Sequence, residues 1–368
     1  MARSKKKKNR QEIYREALAL ASPGTVIRDA ISAILQSSGG ALLCFGEPKK
    51  LSDLSEGGVK LDAQCTSQLL YELSKMDGAI ILNSDGSRIL YANRFLKPDD
   101  SIPSDETGSR HRAAERLARQ AKAMVIAVSE RRASVTLYVH DIRHVIEPVT
   151  SLLNKATQAI QTLEKYIQVL QQSLQDLSTR EFQDMVTIFD ACRAIQRCEM
   201  VIRISKEIEP YVLELGTEGR LIKLQMQELI MPADEAQLVI KDYYREKGGA
   251  TYEQVRKRIS ELSQDDLLNL GSIGQCLGYG PNLKAVDTYL TPRGYRLLTA
   301  THRLTPQIIE NLVQNFGSLQ QIMRAPKDEL VSVEGVGEVL AERVRVSLNL
   351  LRSQLALDLR KNAIPEDL

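Results

Sequence analysis

The spacing of apolar positions changes character twice along the chain. Up to about residue 140, short apolar runs alternate with amphipathic stretches. Ala41–Phe45, Ala79–Leu82, Arg88–Phe95, Met124–Val128 and Ser134–Val139 read as strands, since they are short, mostly apolar runs bounded by turn-forming or polar residues. Glu12–Ala21, Thr25–Gln36 and Cys65–Lys75 have helical spacing, with Ser22 or Thr25 as N-cap candidates and Leu69, Leu70 and Leu73 on the inward face. Asn83-Ser84-Asp85-Gly86 between two apolar runs predicts a hairpin, so Asp85 is assigned to a turn and not to chemistry. A mixture of helices and strands with at least one antiparallel hairpin predicts an α/β domain with a mixed sheet.

Beyond residue 145 the period becomes helical. Ile160, Leu163, Ile167, Leu170, Leu174 and Leu177 recur at spacings of three and four, which gives one continuous apolar stripe. Helices are expected over 145–177, 180–208, 220–229 and 236–247. They cover too few heptads to demand a coiled coil, so an all-α bundle or spine is expected, holding two functional ends at a fixed separation. A third pattern begins near residue 291. Two short helices flank Phe316-Gly317 within Thr305–Ile322. A second pair, Pro326–Val331 and Glu338–Leu351, flanks Glu334-Gly335-Val336-Gly337. Helix, Gly-Val-Gly, helix resembles the helix-hairpin-helix motif, in which glycines expose backbone N–H groups to DNA phosphate without reading bases. Gly335, Val336 and Gly337 are therefore the DNA-binding candidates. The carboxylates Asp328, Glu329, Glu334, Glu338 and Glu342 argue for a modest electrostatic grip, favouring DNA shapes that several copies contact together. The expected fold is an α/β catalytic domain (1–145), an all-α helical spine (146–290) and a C-terminal helix-hairpin-helix domain (291–368).

Composition adds limits. The 368 residues are 43% apolar and 26% charged, with a net charge of +2, which is ordinary for a globular chain. No apolar run reaches transmembrane length and no signal peptide is apparent, so the expectation is a cytoplasmic protein with no membrane partner. Lys5–Lys8 read as a basic tail. Cys44, Cys65, Cys192, Cys198 and Cys276 lack metal spacing and read as reduced thiols. The histidines at 111, 140, 144 and 302 form no metal pattern, and neither Gly-x-Gly-x-x-Gly nor the P-loop pattern is present.

The charge is concentrated in one place. From Thr107 to Arg132 there are seven Lys or Arg against two Glu, an excess of five in a chain that is +2 overall. Thr107-Gly108-Ser109 form a turn-like lead-in, and Arg110-His111-Arg112 open a helix that continues to Ala121. Three phosphate donors thus coincide with unpaired backbone N–H groups and the positive end of a helix dipole. Arginine's planar fork suits bidentate phosphate contact. Upstream, Asp77 and Gly78 precede an apolar strand, where a carboxylate in an apolar setting can hold a metal and glycine lets a nucleotide approach the backbone.

The segments Lys75-Met76-Asp77-Gly78-Ala79-Ile80 and Thr107-Gly108-Ser109-Arg110-His111-Arg112-Ala113-Ala114-Glu115-Arg116 look like the signature of a diadenylate cyclase domain. With the helical middle and the terminal motif, the chain resembles the DNA-integrity scanning diadenylate cyclases of bacteria; Ser109 stands where Thr is expected, keeping the hydroxyl. That resemblance implies condensation of two ATP into cyclic di-AMP with loss of two pyrophosphates, Mg²⁺ or Mn²⁺ as cofactor, octamers with catalytic domains face to face, and a response to branched, Holliday-junction-like or damaged DNA at the nucleoid. It assigns Asp77, Arg110, His111 and Arg112 to catalysis and Asp77 to the metal. Gly78, Ala79, Leu96, Thr107, Gly108, Ser109, Arg110, His111, Arg112 and Ser129 are assigned to ATP. The alternative is an ATP-sensing, DNA-binding scaffold without catalysis. A nuclease or ligase is disfavoured, because no carboxylate cluster for two metals and no ligase-type lysine motif is present.

Overall fold

A computed structural model describes residues 10–245, 250–280, 288–301 and 304–362, with side chains through Leu357. The basic run Lys5–Lys8, the expected helix end at Lys247, and His302 lie outside the described residues. The chain divides into two units, Met1–Gln158 with Glu207–Leu224, and Ala159–Lys206 with Gln225–Leu368.

In the first unit the elements run α1 (Arg10–Ala21), α2 (Val26–Gln36), β1 (Ala41–Phe45), α3 (Pro48–Asp53), β2 (Ser55–Glu56), β3 (Val59–Gln64), α4 (Ser67–Ser74), β4 (Ala79–Leu82), β5 (Arg88–Leu96), α5 (Ser109–Ala121), β6 (Met124–Ser129), β7 (Ser134–Val139) and β8 (Ile142–Ile146). One sheet has the order β2-β5-β4-β1-β6-β7-β8, with β3 also on β5. β1 and β4 are parallel, and the other pairings are antiparallel. The sheet is mixed, as the hairpin signal predicts.

Side chains alternate between its faces. Leu43 and Phe45 point into one core with Leu18, Ile31, Ile34 and Leu70 from α1, α2 and α4. Leu42 and Cys44 point into the other with Leu51 of α3 and Ala114, Leu117 and Ala118 of α5. Both faces are covered, so β1 and β4 are buried throughout and read as continuous apolar runs. No single helix among the described residues is long and apolar enough to cross a membrane; the bent pair α1–α2 has the composition but packs its apolar side on the sheet. The Asp85–Gly86 turn is structural: Asp85 accepts hydrogen bonds from the Ser87 N–H and hydroxyl, and Gly86 takes φ +72°.

The helical stretch expected from residue 145 starts later, because Val145 and Ile146 close the sheet as β8. α6 (Val149–Gln183) follows Pro148. The helix expected over 180–208 is broken. α6 ends at Gln183, Asp184 takes φ 57°, and β9 (Val186–Thr187) intervenes before α7 (Ile188–Leu215). The break is capped, since the Thr187 N–H and hydroxyl both donate to Asp190 at 3.0 and 2.6 Å. Such a cap competes with helix continuation.

The second unit continues with α8 (Arg220–Ala236), α9 (Leu238–Tyr243), α10 (Tyr252–Ser260), α11 (Gln264–Leu268), α12 (Leu270–Cys276), β10 (Tyr289–Leu290), α13 (Tyr295–Thr299), α14 (Pro306–Phe316), α15 (Leu319–Arg324), α16 (Lys327–Val331) and α17 (Glu338–Asn362). The first turns of α8 belong to the first unit. α14 and α15 meet at Gly317, φ +74°, and α16 and α17 at a turn containing Gly335, φ +85°. Leu312, Leu319, Leu330, Val336, Ala341 and Val344 share one core beneath these two helix pairs.

Candidate active site

Because β4 runs parallel to β1 and β6 antiparallel to it, the starts of β1 and β4 and the end of β6 meet at one end of the sheet. Gly40, Asp77-Gly78 and Ser129 stand there. The opposite half of α5 anchors that helix, with Leu117, Ala118 and Ala121 packed on Cys44, Val125 and Ala127. Its first turn is thereby carried to the same sheet end: Arg110 Nη2 lies 3.3 Å from Asp77 Oδ1.

The backbone at Gly78 tolerates no side chain. Gly78 takes φ +94°, and a Cβ there would stand 2.9 Å from the Arg94 carbonyl oxygen. Gly40, which the sequence does not single out, is tight but less constrained, with no positive φ. A Cβ on it would lie 3.1 Å from Arg110 Nη1 and 3.3 Å from the Val128 carbonyl oxygen. Gly40 thus lies against the Arg110 guanidinium, and Gly78 against the backbone of β5. The pattern Gly39-Gly40 before a strand was the available signal.

α5 presents its N-terminus without internal neutralisation. Gly108 occupies the N-cap with no side-chain cap, and the first turn holds no acidic residue. Its leading N–H groups and dipole favour an anion. Asp77 is not in an apolar setting, contrary to the sequence expectation. Its side chain is 99% exposed, whereas the following Ala79–Leu82 are buried. An ion pair this exposed contributes little to stability, so Arg110 and Asp77 part readily for a ligand.

Behind the first turn lies a buried polar group. The Glu106 carboxylate, 7% exposed, accepts the Tyr138 hydroxyl at 2.7 Å and Arg143 Nε at 2.6 Å. Arg112 Nε donates to the Glu106 carbonyl at 3.3 Å. Burial raises the Glu106 carboxyl, but the bonds from Tyr138 and Arg143 outweigh it, and the group sits below its usual range. The half-buried His111 ring stands edge-on to Tyr138, with centroids 6.4 Å apart. Burial lowers its pKa; Glu106 opposes this, while Arg132 and Arg143 reinforce it. Arg132 also donates to the Thr107 hydroxyl at 3.4 Å, and its N–H to the Ser129 hydroxyl at 3.4 Å.

Asp77, Gly78 and Arg110 are thus brought together. Thr107, Gly108, Ser109, His111 and Arg112 lie along the start of α5, and Ser129 joins them through Arg132. Ala79 and Leu96 are in the apolar layer shared with Ala114 and Leu117. Among the described residues no group of three or more His, Cys, Asp or Glu forms a metal cage. The exposed Asp77 carboxylate, held among the described residues only by Arg110, fits a hard cation that keeps water and takes its other ligands from phosphate. In the second unit, Val336 is buried, and nothing lies within 4 Å of a Cβ built on Gly337.

Residues 28–142 match the family model described as DisA bacterial checkpoint controller nucleotide-binding, and 146–286 the one described as the DisA bacterial checkpoint controller linker region. The chain is 47% identical to the DNA integrity scanning protein DisA of Carboxydothermus hydrogenoformans over 92% of this chain and 96% of that one. It is 45% identical to the protein of the same name from Clostridium perfringens, over 94% and 97%, and 43% to that of Clostridium kluyveri, over 95% and 98%.

Proposed function

The chain belongs to the DisA family, and from that premise we propose that it is a diadenylate cyclase, condensing two ATP into cyclic di-AMP with release of two pyrophosphates. The observation that carries this reading is the meeting of Asp77 and Arg110 across the open sheet end, 3.3 Å apart, at the uncapped start of α5.

In each half-reaction the 3′-oxygen of one nucleotide attacks the α-phosphorus of the other. The bond to pyrophosphate breaks, and the hydroxyl proton leaves. Such transfer needs positioning and charge neutralisation more than covalent help. Asp77, exposed and acceptor-only when ionised, binds the metal and takes the 3′-hydroxyl proton. Arg110 and Arg112 hold the triphosphate and stabilise the leaving pyrophosphate, together with the N–H groups of the first turn of α5. His111 contacts phosphate. Gly78 and Gly40 admit the nucleotide against the backbone, and Thr107, Gly108, Ser109, Ala79, Leu96 and Ser129 bound the pocket. A divalent cation, Mg²⁺ or Mn²⁺, when bound at Asp77 supplies charge neutralisation for the phosphates.

One chain holds one nucleotide, so cyclisation requires two sites facing each other. A two-fold pairing of catalytic domains, repeated within an octamer, meets that need. The terminal helix pairs act as a helix-hairpin-helix domain that binds branched DNA through Gly335, Val336 and Gly337, and this places the protein at the nucleoid in the cytoplasm. The positive φ of Gly335 and the open space at Gly337 support this.

The test is incubation of the purified protein with ATP and Mn²⁺, with nucleotides resolved by chromatography and mass. The expected result is cyclic di-AMP with two pyrophosphates per product. ATP bound but unchanged by a folded oligomer would leave a nucleotide-sensing scaffold instead.

A further inference from the structure

We propose that Glu106 is a positioning residue for this site: anchored to β7 and β8, it fixes the loop that starts α5 and so sets the phosphate clamp of Arg110, His111 and Arg112. The inference rests on the nucleotide-binding reading above.

The geometry makes Glu106 the fastening point. It lies two residues before the N-cap Gly108. Its side chain reaches away from α5 to Tyr138 on β7 and Arg143 on β8, while its main chain receives Arg112 from the helix. One residue therefore ties the helix start, the loop and two strands together. Ser104, two residues earlier, adds a second tie by donating to Glu115, a buried carboxylate on α5. Between these ties the Thr107–Ser109 turn has little freedom. The Tyr138 ring, fixed by its hydroxyl, is in turn the surface on which His111 rests.

Position and charge act together here. Arg143 is half-exposed beside a nearly buried carboxylate, and Arg132 lies close by at the Thr107 hydroxyl. Glu106 is the anion among these cations. It keeps Arg143 bound to the strands and away from the phosphates, so the clamp comprises the α5 cations alone. Charge-assisted bonds of this length are strong and directional, and buried polar networks hold one arrangement when every member is satisfied. The carboxylate touches neither nucleotide nor metal in this scheme; it acts through Arg112, His111 and the loop.

Two conservative variants separate this role from general stabilisation. Glu106→Gln keeps volume and an acceptor for Tyr138 but loses the ion pair. Tyr138→Phe keeps the ring under His111 but loses the hydroxyl. In the full-length protein, Glu106→Gln is expected to weaken ATP binding and lower kcat/KM about tenfold or more, while Glu106→Asp recovers part of the loss. The ring resonances of His111, one of four histidines in the chain, are expected to shift in Glu106→Gln and Tyr138→Phe alike. ATP affinity and the His111 resonances are read without turnover, so they test the positioning role even if the wild-type protein proves inactive. Unchanged ATP affinity and unchanged His111 resonances in folded Glu106→Gln would overturn the proposal. So would a loss of thermal stability with nucleotide binding intact.

Discussion

The two units each carry a carboxylate–arginine cluster, and the clusters are opposites. At the sheet end of the first unit, Asp77 and Arg110 stand in solvent, 99% and 56% exposed. In the second unit, Glu181 and Arg296 are 1% and 9% exposed and ion-paired. Glu181 also accepts the Tyr243 hydroxyl at 2.7 Å, and Arg296 donates to the Ser178 hydroxyl at 2.8 Å. Neighbouring Asp242 accepts three backbone N–H groups, from Gly294, Tyr295 and Arg296. The first cluster adjoins Gly78, where a side chain is barred, and stays exposed to solvent. The second spends nearly all of its hydrogen-bonding capacity internally, with Arg296 Nε the exception. Both rest on a carboxylate and an arginine, but one cluster is open to a ligand and the other ties α6, α9 and α13 together.

The comparison can be broken at either end. The largest effect is expected at the open cluster. Asp77→Asn should abolish product, a loss of about a thousandfold or more, with circular dichroism and oligomer size unchanged. Turnover near wild type would remove Asp77 from its role. At the closed cluster the pattern should invert. Glu181→Ala strands a buried guanidinium and should cost about 3–5 kcal/mol, seen as a lower denaturation midpoint, with ATP binding by the first unit retained. A shift under 1 kcal/mol would mean that the network is not holding the second unit.

A smaller effect is pH-dependent. Burial, and then the Glu181 charge, push the Asp242 carboxyl from 3.8 to about 7. The folded state then binds a proton more tightly than the unfolded chain. The stabilisation is complete below about pH 4 and is lost as the pH rises toward 7, by at most about 1.4 kcal/mol per pH unit. Asp242→Asn should flatten the stability of the second unit across that window in denaturant titrations. A slope of the same size in the variant would assign it to another group.

Much of the open cluster was legible in the sequence because its parts are local: a turn, a run of three donors and a helix start lie within a few residues. The buried strands were legible by their apolar runs, and the hairpin by Asp85-Gly86. Other features were not. β3 is mostly exposed and carries only the short alternation Val59, Leu61, Ala63, and the short β8 runs into the helical pattern that follows it. Glu106 lies in a loop that looks merely polar, and its partners come from strands reached only through the fold. Glu181 and Arg296 are far apart in the chain, so no spacing rule connects them. Asp77 was legible as a residue but not in its surroundings, because the apolar run beside it says nothing about which way the preceding turn points.

The placement of β1 has a consequence for how the chain is made. This strand is completed on one side by β4 and on the other by β6, pairing Leu43 with both Ile80 and Ile126. During synthesis β1 and β4 leave the ribosome well before β6, so the nascent sheet waits with an unsatisfied central edge. α5 has no finished surface to dock on until β6 arrives, because Val125 and Ala127 form part of its seat. Asp77 and Arg110 therefore meet only in a chain that has been made through β6. A truncated or stalled product carries the signature residues but not their juxtaposition, and it should contribute neither nucleotide binding nor a partner surface to the assembled pool.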